Sequence, residues 1–370
     1  MTEVIVSEWL GDTGGAEQVL LRVAAALPAA RIHAFAVTDA WREEFPPGRL
    51  TTTVAGRLTS PTARKVVAPL MPAIWRIPPV RADRAVVLHH AFASSAITSK
   101  VDLAVAYVHS PARYVWDPQL DPRGAGRAAR LVAQPLMRLD KAAAARLSDV
   151  VCNSEATRLR VEQHWGVPAR VLYPPVRTDL FRVTAVPTDG ADVELPAPGT
   201  YLIAYGRWIS YKAFDHAIRA AAAAHVPLVL CGGGPEEAAL RTLADELGAE
   251  VTFLVQPPTG LLVRLVQGAR GLLFPGIEDF GIVPLEAQAA GVPVVALGAG
   301  GALETVADGT TGFLLPDLTT ADWSDAIGRL GTISAEACRV NADRFSEKAF
   351  DDAARSWLHT WGFGTAPFGA

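Results

Sequence analysis

Apolar, β-branched runs alternate with amphipathic helical patterns along the 370 residues of the chain. Short apolar runs of this kind predict buried strands, and strands separated by helices predict parallel sheets of the α/β class. The predicted strands cover residues 4–6, 32–37, 85–88, 103–108, 150–152, 170–173, 201–205, 227–231, 250–253, 271–274 and 292–296.

The series of predicted strands is interrupted near the middle of the chain. Pro174 and Pro175 disfavour helix and favour an extended crossing, and residues 186–199 carry a turn-rich segment. With 50% hydrophobic residues, each half is long enough for a full core. We therefore predict an N-terminal α/β domain over residues 1–180 and a C-terminal one over 181–346. An amphipathic helix over 347–361 follows, and we expect it to pack back on the N-terminal domain.

Cysteine usage and the start of the chain indicate a reducing compartment. Cys152, Cys231 and Cys338 are scattered and lack CxxC spacing, so neither a disulfide framework nor a zinc site is predicted. No DxD or HExxH motif occurs, and we expect no metal site. The chain enters the strand-like run at residues 3–10 without a basic leader, and no uncharged apolar stretch approaches the ~18 residues of a membrane span. We therefore expect a cytoplasmic protein.

Charge is unevenly distributed, although the formal net value is only −4. Residues 1–180 carry +6 and residues 181–370 carry −10. Basic residues between apolar ones are suited to hold a protein on an anionic bilayer, each contributing ~1 kcal/mol near the surface. Two such clusters lie in the first half: Arg57, Arg64, Lys65, Arg76, Arg81 and Arg84, and then Arg123, Arg127, Arg130, Arg138, Lys141 and Arg146. They predict either peripheral contact at the inner face of the membrane or solvated helix faces. Nucleic-acid binding is not predicted, because no reader motif accompanies the charge.

An acidic, glycine-bearing loop after the predicted strand 271–274 is the most informative stretch. Glu278 lies in this loop and Glu286 lies close to Pro284, which suits the first turn of a helix. Ligands of open α/β sheets collect at the carboxyl ends of strands, and Gly281 with the helix start favours an anion there. The two carboxylates are suited to accept hydrogen bonds from hydroxyls. The alternative is that Glu286 is an acid at the third helical position and Glu278 a solvated loop residue.

Cations and an imidazole follow other predicted strands. Arg207 and Lys212 come after the strand 201–205, where they are suited to neutralise a diphosphate or are solvated surface cations. His109 follows the strand 103–108 and is either a hydrogen-bonding group for a substrate or a packed structural histidine.

Glycine-rich loops follow two further strands. Gly232 and Gly234 allow close approach of the backbone to a ligand. Glu237 occupies the place of the third glycine of GxGxxG, which disfavours a nicotinamide enzyme. Gly14 and Gly15 lie between the first strand and the first helix, where a phosphate is commonly bound.

Taken together, these residues resemble a GT-B glycosyltransferase of family 4 over nearly the whole chain. The family's E-x7-E element matches Glu278 and Glu286, its basic pair matches Arg207 and Lys212, and its N-terminal glycine loop matches Gly14 and Gly15. Within the family the chain is most similar to bacterial polysaccharide mannosyltransferases of the WbaZ type. Their patterns match residues 109–117 (HSPARYVWD), 153–154 (NS), 173–176 (YPPV) and 278–284 (EDFGIVP).

The resemblance implies two Rossmann-like domains whose parallel sheets face a central cleft, with the nucleotide sugar held mainly by the C-terminal domain and the acceptor by the N-terminal one. It also implies metal-independent transfer with retention at the anomeric carbon. Carried over by residue, it implies that Glu278 binds donor sugar hydroxyls, Glu286 the ribose, and Arg207 and Lys212 the diphosphate. It further implies that backbone N–H groups of Phe280, Gly281 and Ile282 meet the sugar and its phosphate, that His109 approaches the donor sugar, and that Gly14 and Gly15 close over the phosphates.

The resemblance thus predicts transfer of a hexose, mannose from GDP-mannose, to a lipid-linked, polysaccharide or other glycan acceptor, with no cofactor. The chain departs from relatives at Ala213 and at Val255-Gln256, the second in the loop where the family binds the base, so guanine recognition stays open. One alternative is a sugar-nucleotide epimerase of the same fold, against which the acceptor-side segment 109–117 argues. Another is a catalytically inactive sugar-nucleotide-binding module.

Overall fold

The computed structural model shows two compact α/β units. It describes residues 1–11, 14–60, 63, 66–118, 126–183 and 196–366, with the side chains of residues 127, 128 and 130 left aside. The first unit comprises the described residues of Met1–Pro175 and of Phe350–Ala370, and the second comprises those of Val176–Ala349. Of the predicted basic clusters, Arg64, Lys65 and Arg123 lie outside the described residues, as do the side chains of Arg127 and Arg130.

A parallel sheet forms the centre of the first unit. Its strands are β1 (Glu3–Leu10), β2 (Arg31–Val37), β3 (Leu50–Thr52), β4 (Ala82–His89), β5 (Val101–Val108), β6 (Asp149–Cys152) and β7 (Arg170–Val171). Over the described residues the strand order is β3-β2-β1-β4-β5-β6-β7, and every pair is parallel. The chain therefore winds outward from β1 in one direction and then in the other, which makes the β1–β4 boundary the switch point of this sheet.

Helices cover both faces of the first sheet. They are α1 (Gly15–Ala26), α2 (Asp39–Glu43), α3 (Met71–Ile74), α4 (Arg113–Trp116), α5 (Arg127–Ala144) and α6 (Glu155–Trp165). Successive side chains of a strand point to opposite faces, so Val4 and Val6 enter one apolar cluster while Ile5 enters the other. The two clusters explain why these strands are apolar along their whole length.

The last helix, α14 (Glu347–Thr360), adds to the core of the first unit from Phe350 onward. Phe350 and Trp357 lie in the same apolar cluster as Ile5. Polar contacts fix the helix in place: the Arg22 Nε donates to Asp351 Oδ1 at 2.8 Å, and Trp357 Nε1 donates to Asp149 Oδ2 at 2.8 Å.

The second unit contains a separate parallel sheet. Its strands are β8 (Leu202–Arg207), β9 (Leu228–Gly233), β10 (Val251–Val255), β11 (Gly271–Phe274), β12 (Val294–Leu297) and β13 (Gly312–Leu315). Its helices are α7 (Phe214–Ala224), α8 (Glu237–Leu247), α9 (Thr259–Gly268), α10 (Ile282–Ala289), α11 (Ala302–Thr305), α12 (Thr320–Arg329) and α13 (Ala335–Asp343). Over the described residues the order is β10-β9-β8-β11-β12-β13, so the switch point lies between β8 and β11.

The structure confirms the predicted α/β class with two parallel sheets. Each predicted strand has a counterpart, although β7 is limited to Arg170–Val171. Two strands, β3 and β13, were not predicted. Both lie at sheet edges and contain only three and four residues, respectively, so they carry too short a pattern to be distinguished from loop or helix.

Candidate active site

The switch point of the second sheet brings the predicted charged residues together. Strands β8 and β11 are neighbours, and the segments that follow them both leave the carboxyl edge of the sheet. Arg207 is the last residue of β8, Lys212 belongs to the segment after it, and Glu278 belongs to the segment after β11. Such crevices at a switch point are the usual ligand sites of open α/β sheets.

The end of β8 and the segment that follows it carry two cations in different environments. Arg207 is exposed, and its Nη2 donates to the Tyr211 hydroxyl at 3.2 Å. Lys212 ends a short helical turn over Ser210–Lys212 and is largely covered, with 12% of its side chain exposed. The turn ends at Ala213 with a positive φ of 51°, a conformation that starts α7 in a new direction.

Lys212 and Glu278 form an ion pair in which both side chains are largely buried. The two segments approach so closely that a Cβ on Gly276 would lie 2.8 Å from the Cα of Lys212. Glu278 is held from the other side as well, because the Gly301 N–H donates to its carbonyl at 2.9 Å. The cation and the carboxylate are therefore placed by backbone contacts and not only by their mutual attraction.

Helix α10 begins directly behind this ion pair. Its N-cap is Gly281, whose φ of 87° lies in the left-handed region that glycine adopts without steric cost. Phe280 and Gly281 are buried and Ile282 is the first helical residue. The structure thus directs a helix N-terminus toward the switch point, where its partial positive charge favours an anion.

Glu286 lies two residues further along α10 than a helix start at Pro284 would place it. Because the helix begins at Ile282, Pro284 is in the first turn, and Glu286 is in the second turn and not the first. Its carboxyl accepts a hydrogen bond from the Tyr205 hydroxyl at 2.9 Å. Burial raises the pKa of Glu286, an effect that this hydrogen bond partly offsets. The simple helix-terminus role is therefore wrong for Glu286, which is a partly buried group facing β8.

The glycines at the end of β9 are required by packing. Gly232 has a φ of 146°, and a Cβ there would lie 1.9 Å from the carbonyl oxygen of Gly206. A Cβ on Gly234 would lie 2.4 Å from the carbonyl oxygen of Trp208. These contacts keep the ends of β8 and β9 close together, beside the segment that carries Arg207.

The first unit places the remaining predicted residues near its own switch point. The Gly14 N–H donates to Glu17 Oε2 at 3.1 Å, and Gly15 begins α1. The other part of that predicted loop, residues 12–13, lies outside the described residues. His109 follows β5, and its Nε2 is buried without a hydrogen-bond partner. Burial lowers the pKa of His109 to about 3, so its imidazole is neutral near pH 7.

Three polar residues of these two edges were not predicted to be site residues. Tyr205 contacts Glu286, as described above, while Glu8 and His90 meet at the edge of the first sheet. Glu8 interrupts the apolar pattern of β1, which is a signal that sequence alone offers. The structure shows that it is fully buried, which is unusual for a glutamate. The partners of Glu8 and Tyr205 are distant in sequence and become visible only in the fold.

In the described part of the chain, no group of three histidine, cysteine, aspartate or glutamate side chains is arranged to hold a metal ion. Nor is any helix in those residues long and apolar enough to cross a bilayer.

Both halves of the chain match glycosyltransferase domain families. Residues 13–180 match the family described as Glycosyltransferase Family 4, and residues 188–349 match Glycosyl transferases group 1. Among curated proteins, the D-inositol 3-phosphate glycosyltransferase of Mycobacterium leprae is 34% identical over 223 residues, covering 55% of this chain and 52% of that protein. The protein of the same name from Nocardia farcinica is 36% identical over 229 residues, covering 57% and 50%. The chain thus spans about half the length of these curated relatives.

Solved structures resemble the chain over almost its full length. Anabaena HepE in complex with UDP has a TM-score of 0.71 at 18% identity and covers 97% of this chain and 100% of its own. The lipopolysaccharide outer core galactosyltransferase WaaB has a TM-score of 0.69 at 16% identity, with 98% and 100% coverage. At these identities the likeness concerns the fold, and it confirms the predicted GT-B architecture of two Rossmann-like domains.

Proposed function

We propose that this chain is a GT-B glycosyltransferase that transfers a hexose from a nucleotide sugar to a hydroxyl of a glycan or lipid-linked acceptor, because each half matches a glycosyltransferase domain family. The observation that carries this proposal is the arrangement after β8 and β11 in the second unit. There an ion-paired lysine, an exposed arginine and the N-terminus of α10 lie at or after the ends of two neighbouring strands. A diphosphate is suited to bind such cations and a helix N-terminus.

The residues of the second unit then have distinct tasks. Lys212 and Arg207 neutralise the diphosphate, whose negative charge increases as the anomeric C–O bond breaks. Glu278 accepts hydrogen bonds from sugar hydroxyls while it keeps Lys212 in place. Glu286, held by Tyr205, accepts from the ribose hydroxyls. The backbone at Phe280, Gly281 and Ile282 and the glycine loop at Gly232 and Gly234 complete the donor site.

The proposed reaction proceeds with retention and without a metal. The bond from the anomeric carbon to the diphosphate oxygen breaks, and the acceptor oxygen bonds to the same face of the sugar. The departing phosphate oxygen takes the proton of the acceptor hydroxyl, so no side chain has to act as nucleophile. In the first unit, His109 is neutral and its Nε2 has no hydrogen-bond partner. The family resemblance assigns His109 to the donor sugar and Gly14 and Gly15 to the phosphates, and we propose the same roles here.

We also propose specific candidates for the nucleotide sugar and for the acceptor. The matched segments at residues 109–117 and 278–284 favour GDP-mannose and a polysaccharide acceptor. A UDP sugar is the second candidate, because HepE was solved with UDP and with UDP-glucose. The relatives named D-inositol 3-phosphate glycosyltransferase make that polyol the first acceptor to test.

A panel of nucleotide sugars tests the proposal. GDP-mannose, UDP-glucose and UDP-N-acetylglucosamine are added to the chain, and the free energy of unfolding is measured. A donor at a hundred times its Kd stabilises the fold by ~2.7 kcal/mol. The stabilising donor is then incubated with and without D-inositol 3-phosphate, with and without a chelator, and the products are analysed for anomeric configuration. Epimerised donor without acceptor would indicate the epimerase, and binding without product would indicate an inactive binding module.

A peripheral membrane contact of the first unit fits a lipid-linked acceptor. Helix α5 exposes Leu131 by 81% and Leu139 by 43%, next to the exposed cations Arg138 and Lys141. Apolar and cationic side chains on one helix surface are suited to the boundary between head groups and acyl chains. We propose that this surface holds the enzyme at the inner face of the membrane.

A further inference from the structure

A buried carboxylate in β1 organises the loop that follows β4. Glu8 is 0% exposed, and its Oε1 accepts four backbone hydrogen bonds, from the N–H groups of His90 at 3.4 Å, Ala91 at 2.7 Å, Phe92 at 2.8 Å and Ala93 at 2.9 Å. A fully buried acid is uncommon unless its oxygens are paired in this way. Because the residues involved are more than eighty positions apart, the contact exists only through the β1–β4 neighbour relation.

The second oxygen of Glu8 faces an imidazole. Glu8 Oε2 lies 3.3 Å from Nε2 of His90, the first residue after β4. A carboxylate at Nε2 favours the tautomer that carries its proton on Nε2, which leaves Nδ1 as an acceptor. The His90 side chain is also 35% exposed, so one edge of the ring lies beside Glu8 while another part of it is open. In this arrangement a carboxylate orients a histidine, and the exposed part of the ring is available to a bound ligand.

The open side of His90 belongs to a small pocket at the switch point of the first sheet. The pocket is lined by residues of β1, the start of α1, β4 and the turn after β5, including Trp9, Glu17, His90 and His109. The rings of His90 and His109 lie 6.3 Å apart, and Nε2 of His109 has no hydrogen-bond partner. The pocket therefore combines an indole, two imidazoles and a carboxylate.

We propose that His90 binds a hydroxyl of the acceptor, accepting its proton in a hydrogen bond at Nδ1, with Glu8 as its positioning residue. The ligand class is a polyol or sugar ring that presents hydroxyls to His90, because Glu17 lines the pocket and Glu8 contacts His90, and two carboxylates require any phosphate of the acceptor to point away from them. Trp9 supplies an apolar wall of the kind that sugar and cofactor pockets use. This assignment rests on the proposed glycosyl transfer and adds a specific acceptor contact to it.

Two substitutions of His90 test the roles of its two ring nitrogens individually. His90→Asn keeps an acceptor near the position of Nδ1 but cannot reach Glu8, whereas His90→Gln keeps a donor toward Glu8 and loses the Nδ1 acceptor. We expect His90→Gln to raise the KM for the acceptor roughly tenfold with kcat changed less than about threefold, because one hydrogen bond to the acceptor is lost. His90→Asn should raise that KM by less than about threefold. The exposed His359 provides the matched control, His359→Gln, which should change neither constant.

The role of Glu8 is tested by measuring which ring nitrogen of His90 carries the proton. In the full chain labelled with ¹⁵N-histidine, at a pH at which the ring is neutral, His90, identified from its loss in His90→Gln, should carry its proton on Nε2 and not on Nδ1. Glu8→Gln keeps the oxygen that accepts from residues 90–93 but places an amide toward Nε2, so the spectrum should shift toward the Nδ1–H tautomer and the acceptor KM should rise. A role of Glu8 in folding alone would leave the tautomer unchanged.

The donor panel keeps the two proposals distinguishable. The probes are D-inositol 3-phosphate and methyl α-D-mannopyranoside, each added to the chain with the stabilising donor, and the ¹⁵N signal of His90 should move with the probe that is used. If no nucleotide sugar stabilises the wild-type chain, the proposed glycosyl transfer fails. If transfer occurs but His90→Gln keeps the wild-type KM, or if neither probe moves the His90 signal, the acceptor assignment is overturned while the transferase stands.

Discussion

Lys212 and Glu278 form an ion pair across the switch point of the second sheet, although 66 positions separate them in the chain. The pair means that the principal cation of the proposed donor site is already compensated before a ligand arrives. A diphosphate can then bind to Lys212 without the cost of an isolated buried cation in the empty enzyme. Glu278 keeps a second oxygen for sugar hydroxyls, so the two ligand groups are recognised by one connected pair.

Replacing Lys212 should therefore affect the transition state strongly. We expect Lys212→Met to lower kcat/KM for the donor by ~10²–10³-fold, in line with the loss of one preorganised electrostatic contact. The measurement is initial-rate kinetics over a range of donor concentrations. Lys100→Met, at an exposed position of the first unit, is the control and should retain activity. A Lys212→Met enzyme within about threefold of wild type would contradict the diphosphate role.

The Tyr205 hydroxyl should matter for both stability and donor affinity. Tyr205→Phe removes the hydroxyl that donates a hydrogen bond to the partly buried Glu286 carboxyl at 2.9 Å. We expect the free energy of unfolding to fall by ~1–3 kcal/mol, because the carboxyl keeps its desolvation cost and loses its partner. The Kd of the nucleotide sugar should rise as well, since Glu286 is no longer held in place. Urea unfolding and titration calorimetry measure the two effects, and loss of stability with an unchanged Kd would remove Glu286 from the donor site.

The sequence could predict the layers of the fold and the edge that carries the site, but not the contacts within it. The apolar runs indicate most strands because buried parallel strands need little else. Pro284 was correctly expected in the first turn, yet the helix starts at Ile282, and this offset of two residues moved Glu286 into the second turn. Contacts such as Glu8 with His90 depend on strand order, which local pattern does not encode.

A buried acid in α5 should make stability depend on pH. Asp140 is 0% exposed, and its Oδ2 accepts from Nε1 of Trp116 and of Trp165, both at 2.8 Å. Its Oδ1 lies 3.9 Å from Nε2 of His89, and Glu8 also acts on it electrostatically. Burial raises the pKa of Asp140 to about 7, while burial lowers that of His89 to about 3. Near pH 5 the pair is therefore a neutral acid beside a neutral imidazole.

The sign of the effect follows from the raised pKa. The protonated carboxyl contributes stability that is fully present below the unfolded pKa of 3.8 and is lost as the pH rises through about 7. We expect the free energy of unfolding of the wild type to fall, relative to Asp140→Asn, by ~2–3 kcal/mol between about pH 5 and about pH 8. Urea titrations of both proteins across this range measure the difference. Parallel pH profiles would show that Asp140 does not titrate there.

Gly232 should tolerate no side chain. Gly232→Ala places a Cβ 1.9 Å from the carbonyl oxygen of Gly206, so the ends of β8 and β9 would have to separate. We expect a loss of at least ~2–3 kcal/mol of stability, or failure to fold. Gly199→Ala is a control for backbone strain, because Gly199 also has a positive φ, of 82°, but nothing within 4 Å of the added Cβ. Equal losses in both variants would assign the effect to strain and not to packing against Gly206.

The exposed leucines of α5 should determine binding to anionic membranes. Leu131 and Leu139 are exposed beside Arg138 and Lys141, so the double variant Leu131→Ser/Leu139→Ser removes apolar contact and keeps the charge. We expect its partition onto vesicles of phosphatidylcholine and phosphatidylglycerol to fall roughly tenfold, because each leucine that enters the interface contributes ~1–2 kcal/mol at most. Co-sedimentation with these vesicles, and with vesicles of phosphatidylcholine alone, measures the effect. Leu247→Ser/Leu303→Ser, at exposed positions of the second unit, is the matched control. Equal partition of the two double variants, or no binding of the wild type, would assign α5 to a solvated surface.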